Sequence, residues 1–104
     1  MIKYRGTTLY PPAIFDILNE AEYVTDYVVE VFSGRQETDE VRLHLHTIRS
    51  IDECDQRLRT LLQSRLRVVP EFQYHSSADL QAMMMPPGSR KQVKFVDNRG
   101  LKDG

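Results

Sequence analysis

The stretch Tyr27–Phe32, reading Tyr-Val-Val-Glu-Val-Phe, limits the possible folds more than any other part of the chain. Aromatic and β-branched residues favour a strand, and apolar side chains at consecutive positions put hydrophobic surface on both of its faces. A strand of that kind needs cover on each side, which places it near the middle of a sheet packed by helices. Val41–Thr47 has the complementary pattern: Val41, Leu43 and Leu45 point one way while Arg42, His44 and His46 point the other. This predicts an antiparallel strand with one wet face. His44 and His46 share that face and offer two metal ligands at i, i+2, but no third donor follows at a telling spacing, so they read as a solvated pair.

Helical signals alternate with these strands. Pro11 and Pro12 suit a helix start, where their missing amides are not needed, and Ile14, Ile17, Leu18 and Ala21 then follow the spacing of one buried face. Ser50-Ile51-Asp52-Glu53 has the form of a capping box. Ile51, Cys54, Leu58, Leu61, Leu62 and Leu66 mark the buried stripe of the helix it opens, which Pro70 closes. Cys54 lies in that stripe and reads as a small buried hydrophobe rather than a nucleophile. Phe72 and Tyr74 give a further strand, and Ser76, Ser77 and Asp79 cap a short helical turn in which Leu80 and Met83–Met85 act as core filler. Ahead of all this, Ile2–Tyr4 and Thr8–Tyr10 flank Arg5-Gly6-Thr7 as a small hairpin or sharp bend. The order predicts an α+β fold: a small ferredoxin-like sheet of βαββαβ type with helices on one face, preceded by a short β-hairpin.

With 104 residues and no internal repeat or long linker, the chain is expected to form a single domain, 1–104. Its 14 Lys and Arg against 15 Asp and Glu argue against binding nucleic acid or an anionic membrane by bulk electrostatics, although a local basic patch stays open. A single cysteine allows no internal disulfide and points to a reducing, cytoplasmic compartment. No apolar run approaches the ~20 residues of a membrane span, and the first residues lack a secretory core.

Pro86-Pro87-Gly88-Ser89-Arg90-Lys91-Gln92-Val93-Lys94-Phe95 places a lysine at a loop-to-strand junction. An ammonium on a long stem there can reach away from the body of the domain toward a phosphate. The same residues also fit a basic edge strand whose charges are solvated and keep other edges away.

Two stretches taken together resemble one family. Tyr4-Arg5-Gly6-Thr7-Thr8-Leu9-Tyr10-Pro11-Pro12-Ala13-Ile14-Phe15 is similar to the segment opening the small C-terminal domain of adenylate-forming enzymes, and most like the phenylacetate-CoA ligase branch. Lys91-Gln92-Val93-Lys94-Phe95-Val96-Asp97-Asn98-Arg99 resembles that family's closing motif, with its catalytic lysine, basic-apolar strand, aspartate and arginine. Arg90 stands where the family has glycine, and Lys94 is therefore a second candidate for the reactive lysine.

The resemblance implies a mobile lid of a ligase that forms an acyl-adenylate from ATP and a carboxylic acid, then a thioester with coenzyme A. It implies Lys91 as the catalytic residue, and Arg5, Gly6 and Thr7 as the border of the channel for coenzyme A. ATP, Mg²⁺ and coenzyme A would be used by the full-length enzyme and not bound by the isolated domain, which would be inactive without its large N-terminal adenylation domain. Neither the acid nor the oligomeric state follows from it. The rival expectation is a stand-alone regulatory or dimerisation module of ferredoxin-like fold that binds a small molecule. A nucleic-acid module of the same fold is disfavoured by the near-neutral charge.

Overall fold

A computed structural model describes residues 2–35, 38–85 and 93–99. β1 (Ile2–Tyr4) and β2 (Thr7–Leu9) form the expected hairpin as a separate two-stranded sheet. α1 (Pro11–Glu20) starts on its two prolines and buries Ile14, Ile17 and Leu18, with Ala21 buried just beyond its end. β3 (Val24–Ser33) and β4 (Asp39–Thr47) are the long central pair, antiparallel from Val24↔Thr47 to Ser33↔Asp39 with one irregularity between Val24 and Asp26.

α2 (Ile51–Leu66) crosses over to β5 (Glu71–Tyr74), which lies parallel to β4, as a parallel pairing requires. α3 (Ser77–Met84) then leads to β6 (Phe95–Asn98), parallel to β3. The sheet order is β5-β4-β3-β6. The fold is α+β of the ferredoxin-like type, and within the sheet-forming part the order is ββαβαβ, because the strand ahead of α1 belongs to the hairpin.

The two faces of the sheet differ. Tyr27, Val29 and Val31 of β3 join Val41, Leu43 and Leu45 of β4 in one core with Ile14, Ile17 and Leu18 of α1 and Leu58, Leu62 and Leu66 of α2. Ile2, Tyr4 and Leu9 of the hairpin close that core. On the other face Val28, fully buried, meets Leu80 and Met84 of α3, with Met83 and Val96 beside them. The expectation of helices on one face therefore holds for α1 and α2 and needs correcting for α3. β3 is apolar on both sides, and α3 supplies the second cover that its sequence demands.

Two local expectations also change. Ser50 does sit at the N-cap of α2, but its side chain makes no capping bond; the first turn closes through its carbonyl, which accepts from the Cys54 amide at 3.1 Å. Ile51 is exposed rather than part of the stripe, while Cys54 is buried and free. Ser76 caps α3 as expected, its hydroxyl accepting from the Asp79 amide at 3.2 Å. Among the described residues no helix is long and apolar enough to cross a membrane.

Candidate functional site

The hairpin pairs Tyr4 with Thr7, which leaves Arg5 and Gly6 as a two-residue turn with φ of 48° and 80°. Two positive φ values are the signature of a type I′ turn, whose twist matches the strands it joins. A side chain at Gly6 would meet nothing within 4 Å, so its conformation, not crowding, calls for glycine, and the space beside its backbone is open. Arg5 is exposed, with its guanidinium 5.1 Å from the centre of the Tyr4 ring. Burial raises the Tyr4 phenol pKa, and the Arg5 charge opposes that shift. Arg5, Gly6 and Thr7 thus share one tip, as the sequence placed them.

Lys91 and Arg90 lie outside the described residues. The elements on either side of them in the chain are described. The Val93 amide donates to the carbonyl of Met84 at 2.6 Å, and the Val29 amide donates to the carbonyl of Lys94 at 2.8 Å. Lys94, the second candidate, has its Nζ 4.5 Å from the centre of the Tyr27 ring. Tyr27 is itself held in place, stacked on Phe15 at 6.0 Å and donating its hydroxyl to Asn19 Oδ1 at 3.0 Å.

At the far end of β6, Arg99 donates from Nη2 to Asp97 Oδ2 at 2.8 Å and from Nη1 to Asp39 Oδ2 at 3.2 Å. Those bonds from Arg99 hold the Asp97 carboxyl down at about 2. Asp39 Oδ2 also accepts from the Lys3 amide at 2.9 Å. One carboxylate therefore ties the base of the hairpin to the end of the strand that follows the lysine segment.

The face of the sheet under α3 carries a row of polar groups. His44 is not solvated: it is 5% exposed, with Nε2 2.8 Å from Glu30 Oε1 and Nδ1 2.8 Å from His75 Nε2. Glu30 Oε2 accepts from Asn98 Nδ2 at 3.2 Å, and Arg42 Nη1 lies 3.4 Å from Oε1. Arg42 continues to Glu71 at 3.2 Å and stacks on Phe32 at 4.7 Å. Burial opposes ionisation of Glu30, but the hydrogen bonds from His44 and Asn98, with the charges of His44 and Arg42, hold its pKa below the usual carboxylate value. Burial first, and then the His44 charge, lower the pKa of His75.

His46 is half-buried, its Nδ1 3.0 Å from the carbonyl oxygen of His75. His46, His75, Arg49, Tyr74 and Ser76 line an open depression of about 470 Å³. Among the described residues no group of three or more His, Cys, Asp or Glu could hold a metal ion. A wider groove between α1 and α2, about 670 Å³ with Tyr23, Arg57 and Leu61 in its walls, contains none of the candidate site residues Arg5, Gly6, Thr7 and Lys94.

Sequence reading missed the Glu30–His44–His75 row. Alternation places His44 on the right face, but its partner His75 is 31 residues away, and only the parallel pairing of β4 with β5 brings them together. The available signal was Glu30, a carboxylate inside an otherwise apolar strand, which calls for a buried partner.

No protein-family model matches the sequence, and no curated protein does. Solved structures do. A domain of phenylacetate-coenzyme A ligase from Bacteroides vulgatus ATCC 8482 superposes with a TM-score of 0.65 at 16% identity, over 98% of this chain and 95% of that one. 2-Hydroxyisobutyryl-CoA ligase, solved with 2-HIB-AMP and CoA in the thioesterification state, gives 0.59 at 18% identity over 92% of this chain. The match covers 20% of that ligase, so the chain spans about a fifth of its length. What this chain shares with both ligases, at these identities, is the fold.

Proposed function

We propose that this chain is the mobile C-terminal domain of a cytoplasmic, ATP-dependent acyl- or aryl-CoA ligase of the phenylacetate-CoA ligase type. It would act with a large N-terminal adenylation domain. The observation that carries the reading is the near-complete, two-way match of this fold to an isolated ligase domain, in a chain whose hairpin and post-α3 motifs both resemble the same family.

In the first half-reaction the acid carboxylate attacks the α-phosphorus of ATP and pyrophosphate leaves. Lys91, an amine whose reference pKa of ~10.4 keeps it charged at neutral pH, stabilises the charge that gathers on the acid and α-phosphate oxygens. In the second, the thiol of coenzyme A displaces AMP from the acyl carbon. The hairpin serves that step: the open side of Gly6 admits the pantetheine arm against backbone, and Arg5 meets a phosphate. In this reading Mg²⁺ and the nucleotide are held by the large domain.

The chain alone is expected to form no acyl-adenylate from ATP and aryl acids, to sediment as a monomer, and to show no thermal shift in an amino-acid screen. Turnover by the chain, or a tight dimer stabilised by an amino acid, would replace the ligase reading with an autonomous enzyme or a regulatory module.

A further inference from the structure

Two elements flank residues 86–92 in the chain, α3 before and β6 after, and a hydrogen-bonded row through one carboxylate links β6 to the residue that precedes the α3 cap. Glu30 sits in the middle of β3. Its Oε2 holds Asn98 of β6 at 3.2 Å, and its Oε1 holds His44 of β4 at 2.8 Å. His44 in turn contacts His75, which directly precedes Ser76, the cap of α3. The backbone of His75 is fixed as well: its amide donates to the Leu45 carbonyl at 2.8 Å, and its carbonyl is 3.0 Å from His46 Nδ1. At the other end of α3 the carbonyl of Met84 holds the Val93 amide. Asn98 is thus anchored on Glu30 directly, and His75 is anchored on it through His44.

Proton counting restricts the state of this row. An ionised carboxylate only accepts, so His44 Nε2 must carry hydrogen toward Glu30. The 2.8 Å gap between the two rings then holds one proton: His75 Nε2–H donates to a neutral His44, or a charged His44 donates to a neutral His75. With both rings fully protonated, two N–H groups and two positive charges would face each other across that gap.

We propose that Glu30, His44 and His75 form a one-proton clamp that positions α3 and β6 together on the sheet, and that a second proton on the imidazole pair opens it. Among the described residues, the other charged or titratable groups that alternation and packing place on this face are Asp26 on β3, Glu40, Arg42 and His46 on β4, Glu71 on β5 and Asp79 on α3. Arg42 is bound by Glu30 and Glu71, and Asp79 favours charge on His75 without outweighing burial and His44. The net direction puts the opening proton below the ordinary histidine value of 6.5. His75 also lines the open depression beside Arg49, so that proton can arrive from solvent. The clamp stands apart from the proposed ligase function, which it touches only through α3 and β6.

An NMR pH titration of the 104-residue chain tests it, following the imidazole Cε1–H signals and the backbone amides. Expected is a two-step titration of the hydrogen-bonded imidazole pair, coupled through the contact between the rings. The amides of Leu80, Met84, Val96 and Asn98 should move with the second, more acidic step while those of Leu18 and Leu58 stay still. In H75Q that amide transition should vanish. Independent titration of the two rings near 6.5, or the same amide transition persisting in H75Q, would overturn the clamp. The wild-type titration decides alone should H75Q not fold. No ligase assay is involved, so a chain that titrates as stated but lacks the lysine chemistry keeps the clamp and loses the function, and the reverse holds equally.

Discussion

The two faces of the central sheet are built on different physical terms. Toward α1 and α2, β3 and β4 present Tyr27, Val29, Val31, Val41, Leu43 and Leu45, all buried among aliphatic and aromatic neighbours. Toward α3 the same two strands present one fully buried apolar side chain, Val28, beside Glu30, Arg42 and His44. The first face is non-directional, and its stability follows area removed from water, independent of pH. The second is directional, depends on which atoms carry protons, and joins the elements around the lysine segment. Stability of the body and placement of the motif elements are therefore carried by opposite sides of one strand.

The largest expected effect lies on the apolar side. L43A empties a fully buried position and should lower unfolding free energy by about 2–5 kcal/mol, by nearly the same amount at pH 7 and pH 5, as read from urea midpoints. A strong pH dependence of that loss would break the division between the faces.

On the polar side, E30A leaves His44 Nε2 and Asn98 Nδ2 without their acceptor, while Arg42 keeps Glu71, and should cost on the order of 1–3 kcal/mol at pH 7. It should also flatten the acid side of the stability curve. The His75 pKa is depressed in the fold, so the unfolded chain takes up a proton that the folded one refuses as pH falls below 6.5. Glu30 is depressed as well, and its contribution, present above its ordinary value of 4.5, is lost as pH falls further. Both shifts make acid destabilising, and a wild-type urea midpoint that stays level from pH 7 to pH 4 would contradict the polar account.

The smallest effect belongs to the hairpin tip, which takes no part in either face. G6A meets no steric neighbour and should cost only the left-handed conformation, about 1–2 kcal/mol by thermal or urea unfolding. A larger loss would show that the tip is packed rather than open.

The apolar face was largely legible in the sequence, because periodicity reports it directly. Ile14, Ile17 and Leu18 on α1, and Cys54, Leu58 and Leu62 on α2, are buried where their spacing places them. The Arg5-Gly6 turn was legible for a related reason: its chemistry is complete within a few residues. The polar face was not. Local alternation gives His44 a wet side, and only the docking of α3 and the pairing of β5 convert that side into a buried row. The Ser50 cap shows the same limit at short range, since the residue types of a capping box sit at the right place without forming its side-chain bond.

The most direct measurement of the proposed function is K91A in the complete ligase, with the two half-reactions assayed separately and K94A beside it. Adenylation should fall by about 10²–10³ in K91A while thioester formation from supplied acyl-adenylate survives. K94A, whose amine rests on Tyr27, should change adenylation far less. Equal loss of both half-reactions in K91A, or a larger adenylation loss in K94A, would contradict the assignment of Lys91.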